Sequence, residues 1–251
     1  MIIEGKLQTD LLNVDFVEYC IILPATYHKT LYWLHGYKER YRDIICRSHL
    51  ENFAEKYHTA IVIPDLPDTY YMNHPWENCY TEDFLIQEFL PYICKKYHLP
   101  SQYEDTFIAG ASMGGFGSLL IGSHFPELFG KIACISGAFI IDDILIGNPE
   151  VIGNAATNFS HFQNLFGDIP SLMDCEQRNP MIAAAKALEN HTFPSVFMAC
   201  GKKDMLYTRN VKFRDSLKEL GADITWMEMQ GGHNWECFNL ALEDLFQWLN
   251  D

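Results

Sequence analysis

Short apolar runs and segments of helical periodicity alternate along most of the chain. The apolar runs are rich in β-branched and aromatic residues and end at glycine, proline or charged residues, which is typical of buried strands. Between them, apolar side chains recur three or four positions apart, which indicates helices with one buried face. The predicted strands of this alternating part lie at 30–36, 60–65, 106–109, 131–137, 195–201 and 223–229.

Two β-rich segments, 2–8 and 14–23, precede the alternation and predict an antiparallel start to the sheet.

Pro91 lies within the predicted helix at 83–97 and should kink or restart it. Alternating buried strands and helices predict an α/β fold, with a mostly parallel sheet of about eight strands and helices on both faces. Such sheets bind ligands beyond the carboxyl ends of their strands, so we expect functional residues on the loops there. The predicted helices lie at 83–97, 116–121, 206–220 and 235–249.

The pattern loosens between residues 139 and 190, where glycine, asparagine and aspartate are frequent and at most two short helical pieces are predicted. A connection of this length is uncommon in a compact domain and often covers a functional site, although a surface insertion without function is the alternative. We therefore interpret residues 1–251 as one domain with a cover-like insertion at about 139–190. Phe162 lies on an apolar helical face of the insertion and is predicted to contact the substrate. This face comprises Phe159, Phe162, Leu165 and Phe166.

Length, composition and charge restrict the classes of function. The 251 residues suit a single α/β domain, and 48% hydrophobic residues provide enough apolar material for a buried sheet. No apolar run approaches the roughly 20 residues that span a membrane. The net charge of −15 repels phosphate backbones and anionic lipids, which argues against nucleic-acid and membrane partners. These properties do not determine the oligomeric state, and they are compatible with a homo-oligomer.

The spacing of the cysteines indicates whether a metal or disulfides are expected, and the first ten residues of the chain bear on its cellular location. The eight cysteines form no Cys-x-x-Cys pair, and Cys134 and Cys200 lie in apolar runs where cysteine behaves as a small hydrophobe. We therefore expect no disulfide framework, no metal site and no cofactor. Residues 1–10 contain Glu4 and Asp10 and no long apolar stretch, so they do not read as a secretory signal and a cytoplasmic location is expected.

Ser112 lies in the stretch TFIAGASMGGFGSLLIG, between a predicted strand and a predicted helix with almost no residues to spare. Gly110 and Gly114 on either side of it permit the close backbone approach of a very tight turn. Gly-x-Ser-x-Gly in this setting predicts a strained turn that presents the serine hydroxyl above the sheet as a nucleophile. A serine in an ordinary glycine-rich turn is the alternative, because short motifs recur by chance.

A serine nucleophile requires a base and an acid that orients the base, and both residue types follow at strand ends. Asp204 follows the strand SVFMACG, where it could also cap the next helix. His233 follows the last predicted strand in QGGHNWECF and is the only one of the ten histidines placed there. The order serine, aspartate, histidine is that of the α/β-hydrolases, so we predict Ser112, Asp204 and His233 as the catalytic residues.

Catalysis also requires backbone N–H groups that stabilise the developing oxyanion. We predict the N–H of Met113, directly after the nucleophile, and the N–H of Tyr37, in the loop after the strand TLYWLHG. Gly36 permits that loop to turn, and His35 is interpreted as a side chain that braces it.

The motifs LYWLHG, FIAGASMGGFGSL, GKKD and GGHNWECF together resemble the esterase D-like branch of the α/β-hydrolases. This branch includes tributyrin, acetyl and feruloyl esterases and S-formylglutathione hydrolases, and EFLPYI at 88–93 is similar to the helix before its nucleophile strand. The resemblance extends from about Leu31 to the end of the chain. It implies the α/β-hydrolase fold and an acyl-enzyme formed on Ser112 with Asp204 and His233.

Departures from the family patterns bear on the substrate. The loop HGYKERYRD lacks the extra glycines of many feruloyl esterases, and the chain lacks the S-formylglutathione hydrolase pattern around the first loop and the elbow. The tributyrin and acetyl esterases are therefore the most similar group. We expect a small-molecule ester with a short acyl chain, acetylated or feruloylated oligosaccharides included.

Four aromatic residues could offer flat surfaces to such a substrate, although ordinary packing is the alternative for each. Among them, Trp76 and Trp235 are predicted as substrate contacts, beside Tyr70 and Tyr71. An acyltransferase with the same triad, an S-formylglutathione hydrolase-like thioesterase and a non-catalytic binding protein on this fold are the competing functions.

Overall fold

The computed structural model describes residues 1–146 and 159–251, and an eight-stranded sheet forms its centre. Apolar runs form its inner strands, and nearly every side chain of these strands is buried. The strands are β1 Ile2–Gln8, β2 Phe16–Ile22, β3 Lys29–Leu34, β4 Thr59–Pro64, β5 Thr106–Ala111, β6 Lys131–Ile135, β7 Ser195–Gly201 and β8 Ile224–Met229.

The order of the strands in the sheet is β1-β2-β4-β3-β5-β6-β7-β8. Strand β2 pairs antiparallel with both β1 and β4, and every pair from β4 to β8 is parallel. The predicted α/β-hydrolase fold, with its mostly parallel sheet, is therefore confirmed. The carboxyl ends of β3, β5, β7 and β8 lie at one edge of the sheet, where the predicted functional loops begin.

Helices cover both faces of the sheet, and each face has its own apolar core. On one face, the apolar sides of the first two helices and the last helix pack on the strands. The other helices lie on the opposite face. The helices are α1 Tyr41–Arg47, α2 Leu50–Lys56, α3 Leu90–Tyr97, α4 Met113–His124, α5 Ile141–Leu145, α6 Phe159–Phe166, α7 Pro180–Glu189, α8 Tyr207–Glu219 and α9 Trp235–Asn250.

Pro91 restarts its helix, as predicted. One helical turn, Thr81–Asp83, leads into a π-helix at Phe84–Phe89, and α3 follows with Pro91 in its first turn. Proline has no N–H to donate to the preceding turn, so the regular α-helical bonding cannot continue through this position. The wider π-helical turn lies directly before this break.

The loose segment contains more helix than predicted. The prediction of at most two short helical pieces is wrong, because α5, α6, α7 and a 3₁₀ turn at Pro170–Met173 lie within it. Asn179 caps α7 by accepting a hydrogen bond from the N–H of Met181. The buried alanines of α7 let it pack on α4, so α7 belongs to the helical layer and not to the predicted cover.

Part of the predicted cover lies outside the described residues, namely positions 147–158 together with the side chain of Phe159. Within the described part, no helix is long and apolar enough to cross a membrane. All eight cysteines are free thiols.

Candidate active site

The serine turn is as tight as the sequence predicts. Strand β5 ends at Ala111 and α4 begins at Met113, so Ser112 alone makes the reversal, with φ 58° and ψ −119°. A Cβ on Gly110 would lie 2.5 Å from the backbone of Gly114, and a Cβ on Gly114 would lie 2.0 Å from the carbonyl oxygen of Leu34. Larger residues would force these backbones apart, and such a strained serine is typical of a functional site.

The three predicted catalytic side chains form one chain of hydrogen bonds. Ser112 Oγ lies 2.9 Å from His233 Nε2, and His233 Nδ1 lies 2.8 Å from Asp204 Oδ2. An ionised carboxylate can only accept, so Nδ1 carries the ring proton and Nε2 is left to accept the proton of the serine hydroxyl. The three residues come from loops after β5, β7 and β8, which end at the same edge of the sheet.

The environment of Asp204 keeps its carboxylate ionised. Burial raises its pKa, but the hydrogen bond and charge of His233 and the N–H of Leu206, 2.8 Å from Oδ1, outweigh burial and lower the pKa below the ordinary 3.8. The bond to Leu206 lies just before α8, so Asp204 supports the start of that helix and faces His233 at once. A lowered pKa stabilises the fold at pH above the ordinary value, and this contribution is lost as the pH falls through the folded value.

Ser136 is a buried residue near Asp204 that the sequence reasoning missed. It follows β6, has φ 48° and donates its N–H to the carbonyl of Ala199 at 2.7 Å. Its hydroxyl donates to Cys200 Sγ at 3.6 Å, and its proximity makes a small contribution to the lowered pKa of Asp204. The sequence offered one signal for the role of Ser136, a serine at the end of a buried strand. Many loop residues without a function have the same feature.

The predicted oxyanion donors flank the nucleophile. Met113 is the first residue of α4, so its N–H has no acceptor within the helix. A Cβ on Gly36 would lie 3.6 Å from Ser112 Cβ, which shows how closely the loop that carries Tyr37 approaches the serine. His35 is fully buried, as expected of a bracing residue, with Nδ1 2.8 Å from the carbonyl oxygen of Gly36.

The aromatic rings assigned to the substrate lie in different environments. Phe162 is 4% exposed and packs against Phe166 on α6. Trp76 is 46% exposed, stacks on His74 and donates its Nε1–H to the carbonyl of Asn164 at 3.0 Å, so it braces α6. Substrate contact by Phe162 and Trp76 stays a prediction.

Trp235 lies among the rings of the core, and substrate contact by it also stays a prediction. It is 7% exposed, and its ring packs against Trp33 and Phe238 in the core. Its Nε1–H donates to Glu39 Oε1 at 2.6 Å. Tyr70 and Tyr71 are also buried.

Asp204→Asn should lower kcat by up to about 10⁴-fold, less than the loss of the nucleophile. The amide keeps the shape of the side chain but removes the anion that fixes the tautomer of His233 and stabilises its cationic form. Steady-state hydrolysis of p-nitrophenyl acetate measures the effect. Asp223→Asn, which alters an exposed carboxylate bonded to Ser195, is the matched control and should be silent. A silent Asp204→Asn would mean that another carboxylate orients the base.

Comparison with known proteins agrees with this geometry. Residues 19–249 match the model of the family described as Putative esterase. The chain is 31% identical to an acetyl esterase of Caldicellulosiruptor saccharolyticus over 222 residues, which cover 88% of this chain and 83% of the relative.

Two solved structures share the fold over the whole chain. An S-formylglutathione hydrolase from Staphylococcus aureus superposes with a TM-score of 0.85 and 22% identity, covering 100% of this chain and 99% of that protein. A ferulic acid esterase superposes with a TM-score of 0.78 and 22% identity, covering 100% and 97%. At this identity the two structures establish the fold alone.

Proposed function

Because the chain belongs to this esterase family, we propose that Ser112, His233 and Asp204 are the triad with which it hydrolyses short-chain acyl esters. The protein is a serine carboxylesterase, and its fold and its acetyl esterase relative agree on that class. The observation that carries the assignment of the triad is the continuous hydrogen-bond chain from Ser112 Oγ through His233 to the buried carboxylate of Asp204.

The geometry gives each residue one task in acylation. As Ser112 Oγ attacks the ester carbonyl carbon, His233 Nε2 takes the hydroxyl proton and Asp204 stabilises the imidazolium. The carbonyl oxygen becomes an anion, which the N–H groups of Tyr37 and Met113 would stabilise. The intermediate collapses, the C–O bond to the alcohol breaks, and His233 returns the proton to the leaving alcohol. Water then attacks the acyl-enzyme by the same route and releases the acid and free Ser112.

Packing around α6 supports a preference for short acyl chains. The ring of Phe166 lies 6.1 Å from that of Phe116, which is in the first turn of the nucleophile helix α4, and 5.0 Å from that of Tyr70. The ring of Tyr37 lies 6.1 Å from that of His161 on α6. The described part of the cover therefore contacts both the nucleophile helix and the oxyanion loop, and this closeness to Ser112 is what supports a preference for short acyl chains.

Phe162→Ala should shift the preference of the enzyme toward longer acyl groups, because removal of a buried ring on α6 enlarges the space beneath the cover. The same change should lower the melting temperature, since a buried phenylalanine is lost. Rates with p-nitrophenyl esters from acetate to octanoate measure the shift. Phe53→Ala is the control: Phe53 stacks on Phe246 across the opposite face of the sheet and should affect stability only. A chain-length profile unaltered by Phe162→Ala would remove Phe162 from the acyl pocket.

The substrate panel that tests the proposed function adds methyl ferulate, acetylated xylo-oligosaccharides and S-formylglutathione to these esters. We expect the acetyl and other short esters to be the best substrates. Faster turnover of S-formylglutathione would favour the thioesterase, and ester products formed with an added alcohol would favour the acyltransferase.

The eight free cysteines suit a reducing compartment, which supports our proposal of a cytoplasmic location.

A further inference from the structure

The backbone of the oxyanion loop is held by side chains at nearly every polar group. The carbonyl of His35 accepts from the Tyr71 hydroxyl at 2.8 Å. The N–H of Gly36 donates to Glu39 Oε2 at 2.9 Å, and the carbonyl of Gly36 accepts from His35 Nδ1 at 2.8 Å. These bonds occupy three of the four polar groups in the two peptide units from His35 to Tyr37. The fourth is the N–H of Tyr37, which has no acceptor among the described residues.

We propose that Glu39 is a positioning residue that fixes the direction of the Tyr37 N–H. This inference rests on the proposed function, in which that N–H stabilises the oxyanion. The planar peptide unit that carries the Tyr37 N–H also contains the Gly36 C=O, which His35 Nδ1 holds. Glu39 holds the Gly36 N–H of the preceding unit, so it restricts the rotation about Gly36 that would turn the Tyr37 N–H away. An oxyanion donor is effective because it is aimed before the charge develops, so a freely turning loop would lose part of this advantage.

Glu39 also ties the oxyanion loop to the loop of the base. Its second oxygen, Oε1, accepts from Trp235 Nε1–H at 2.6 Å, and Trp235 follows His233 by two residues. Both oxygens of the carboxylate are thus used, one on each loop. The acceptor must be a carboxylate, because a glutamine would present an NH₂ group to one of two N–H donors. The bridge therefore sets the spacing between the oxyanion donor and the base.

The Tyr71 bond comes from an equally constrained segment. Tyr70 and Tyr71 both have positive φ angles, 54° and 63°, a conformation that bulky residues adopt only where the surroundings enforce it. The Tyr71 ring is fully buried against Gly117 of α4, where an added Cβ would lie 2.2 Å from the ring. The nucleophile helix thus supports the side chain that holds the carbonyl of His35.

Glu39→Ala should lower kcat for p-nitrophenyl acetate by about 10-fold to 100-fold, less than the loss of a whole oxyanion donor. KM should stay within about twofold, because the loop acts on the transition state and not on the bound ester. A trifluoromethyl ketone inhibitor forms an oxyanion on the serine, so its affinity should fall by the same factor as kcat. Glu243→Ala is the matched control: this surface glutamate accepts from Lys56 and Tyr57, and its loss should change none of these values.

A pair of further variants separates positioning from general stability. Glu39→Gln should impair kcat because its NH₂ group meets an N–H donor, and adding Trp235→Phe should restore part of the rate by removing that donor. The inference about Glu39 would be overturned by an unchanged kcat in Glu39→Ala, or by a lower kcat with an unchanged inhibitor affinity. In either case, ester hydrolysis by the wild-type protein would still support the proposed esterase function. Absence of ester turnover in the wild-type protein would instead overturn the proposed function and this inference with it.

Discussion

Ser112→Ala is expected to lower kcat for ester hydrolysis by ~10⁴-fold or more while the protein stays folded. The change removes one oxygen from a turn at the sheet edge and leaves the buried strands and helices untouched. Alanine can also adopt the backbone of the serine about as well as serine does, since both carry a Cβ at φ 58°. The residual rate should be that of a site that binds the ester without a nucleophile.

Steady-state rates with p-nitrophenyl acetate and the melting temperature of the same sample test this prediction. Ser123→Ala is the matched control, because Ser123 lies on the same helix and its hydroxyl donates only to the carbonyl of Leu119. That control should retain wild-type activity. A Ser112→Ala protein with a tenth of the wild-type rate would eliminate Ser112 as the nucleophile.

His233→Ala should be similarly severe, because a serine hydroxyl attacks slowly unless a base accepts its proton. Imidazole added to the solution should restore part of the activity, since the variant leaves room for a small base beside Ser112. His28→Ala, which removes an exposed histidine, is the control and should be active.

The pH dependence of the wild-type enzyme follows from the same role. Activity should fall at acid pH, because a base that already carries a proton cannot accept the proton of Ser112. Asp204 stays ionised over this range, since His233 and the Leu206 N–H keep its pKa lowered despite burial. The acid limb of kcat/KM should therefore reflect one proton. A flat profile from about pH 5 to pH 9 would count against histidine as the base.

The sequence predicted those parts of the site that depend on order along the chain. Ser112, Asp204 and His233 each follow a parallel strand of the sheet, and parallel strands bring their carboxyl ends to one edge whatever lies between them. The tight turn at Ser112 was equally local, because two glycines and a strand-to-helix change are visible within one short stretch.

Contacts between distant loops could not be predicted in this way. Glu39 and Trp235 are 196 positions apart, and neither forms a motif that indicates a hydrogen bond between them. Trp235 was therefore assigned to the substrate from its ring alone, whereas its packing on Trp33 makes it part of the core. No bounds were predicted for α7, because its alanines carry little hydrophobic periodicity, and their packing on α4 is visible only in the structure.

The most direct test of a serine esterase that works through Ser112 is to trap the acyl-enzyme. Acid quenching of Asp204→Asn during turnover of p-nitrophenyl acetate, followed by peptide mass spectrometry, identifies the acetylated residue. We predict one acetyl group per chain, carried by the peptide that contains Ser112, and none on that peptide in Ser112→Ala. Acetyl groups only on another residue, such as the exposed Cys46, with Ser112 unmodified during active turnover, would contradict the account.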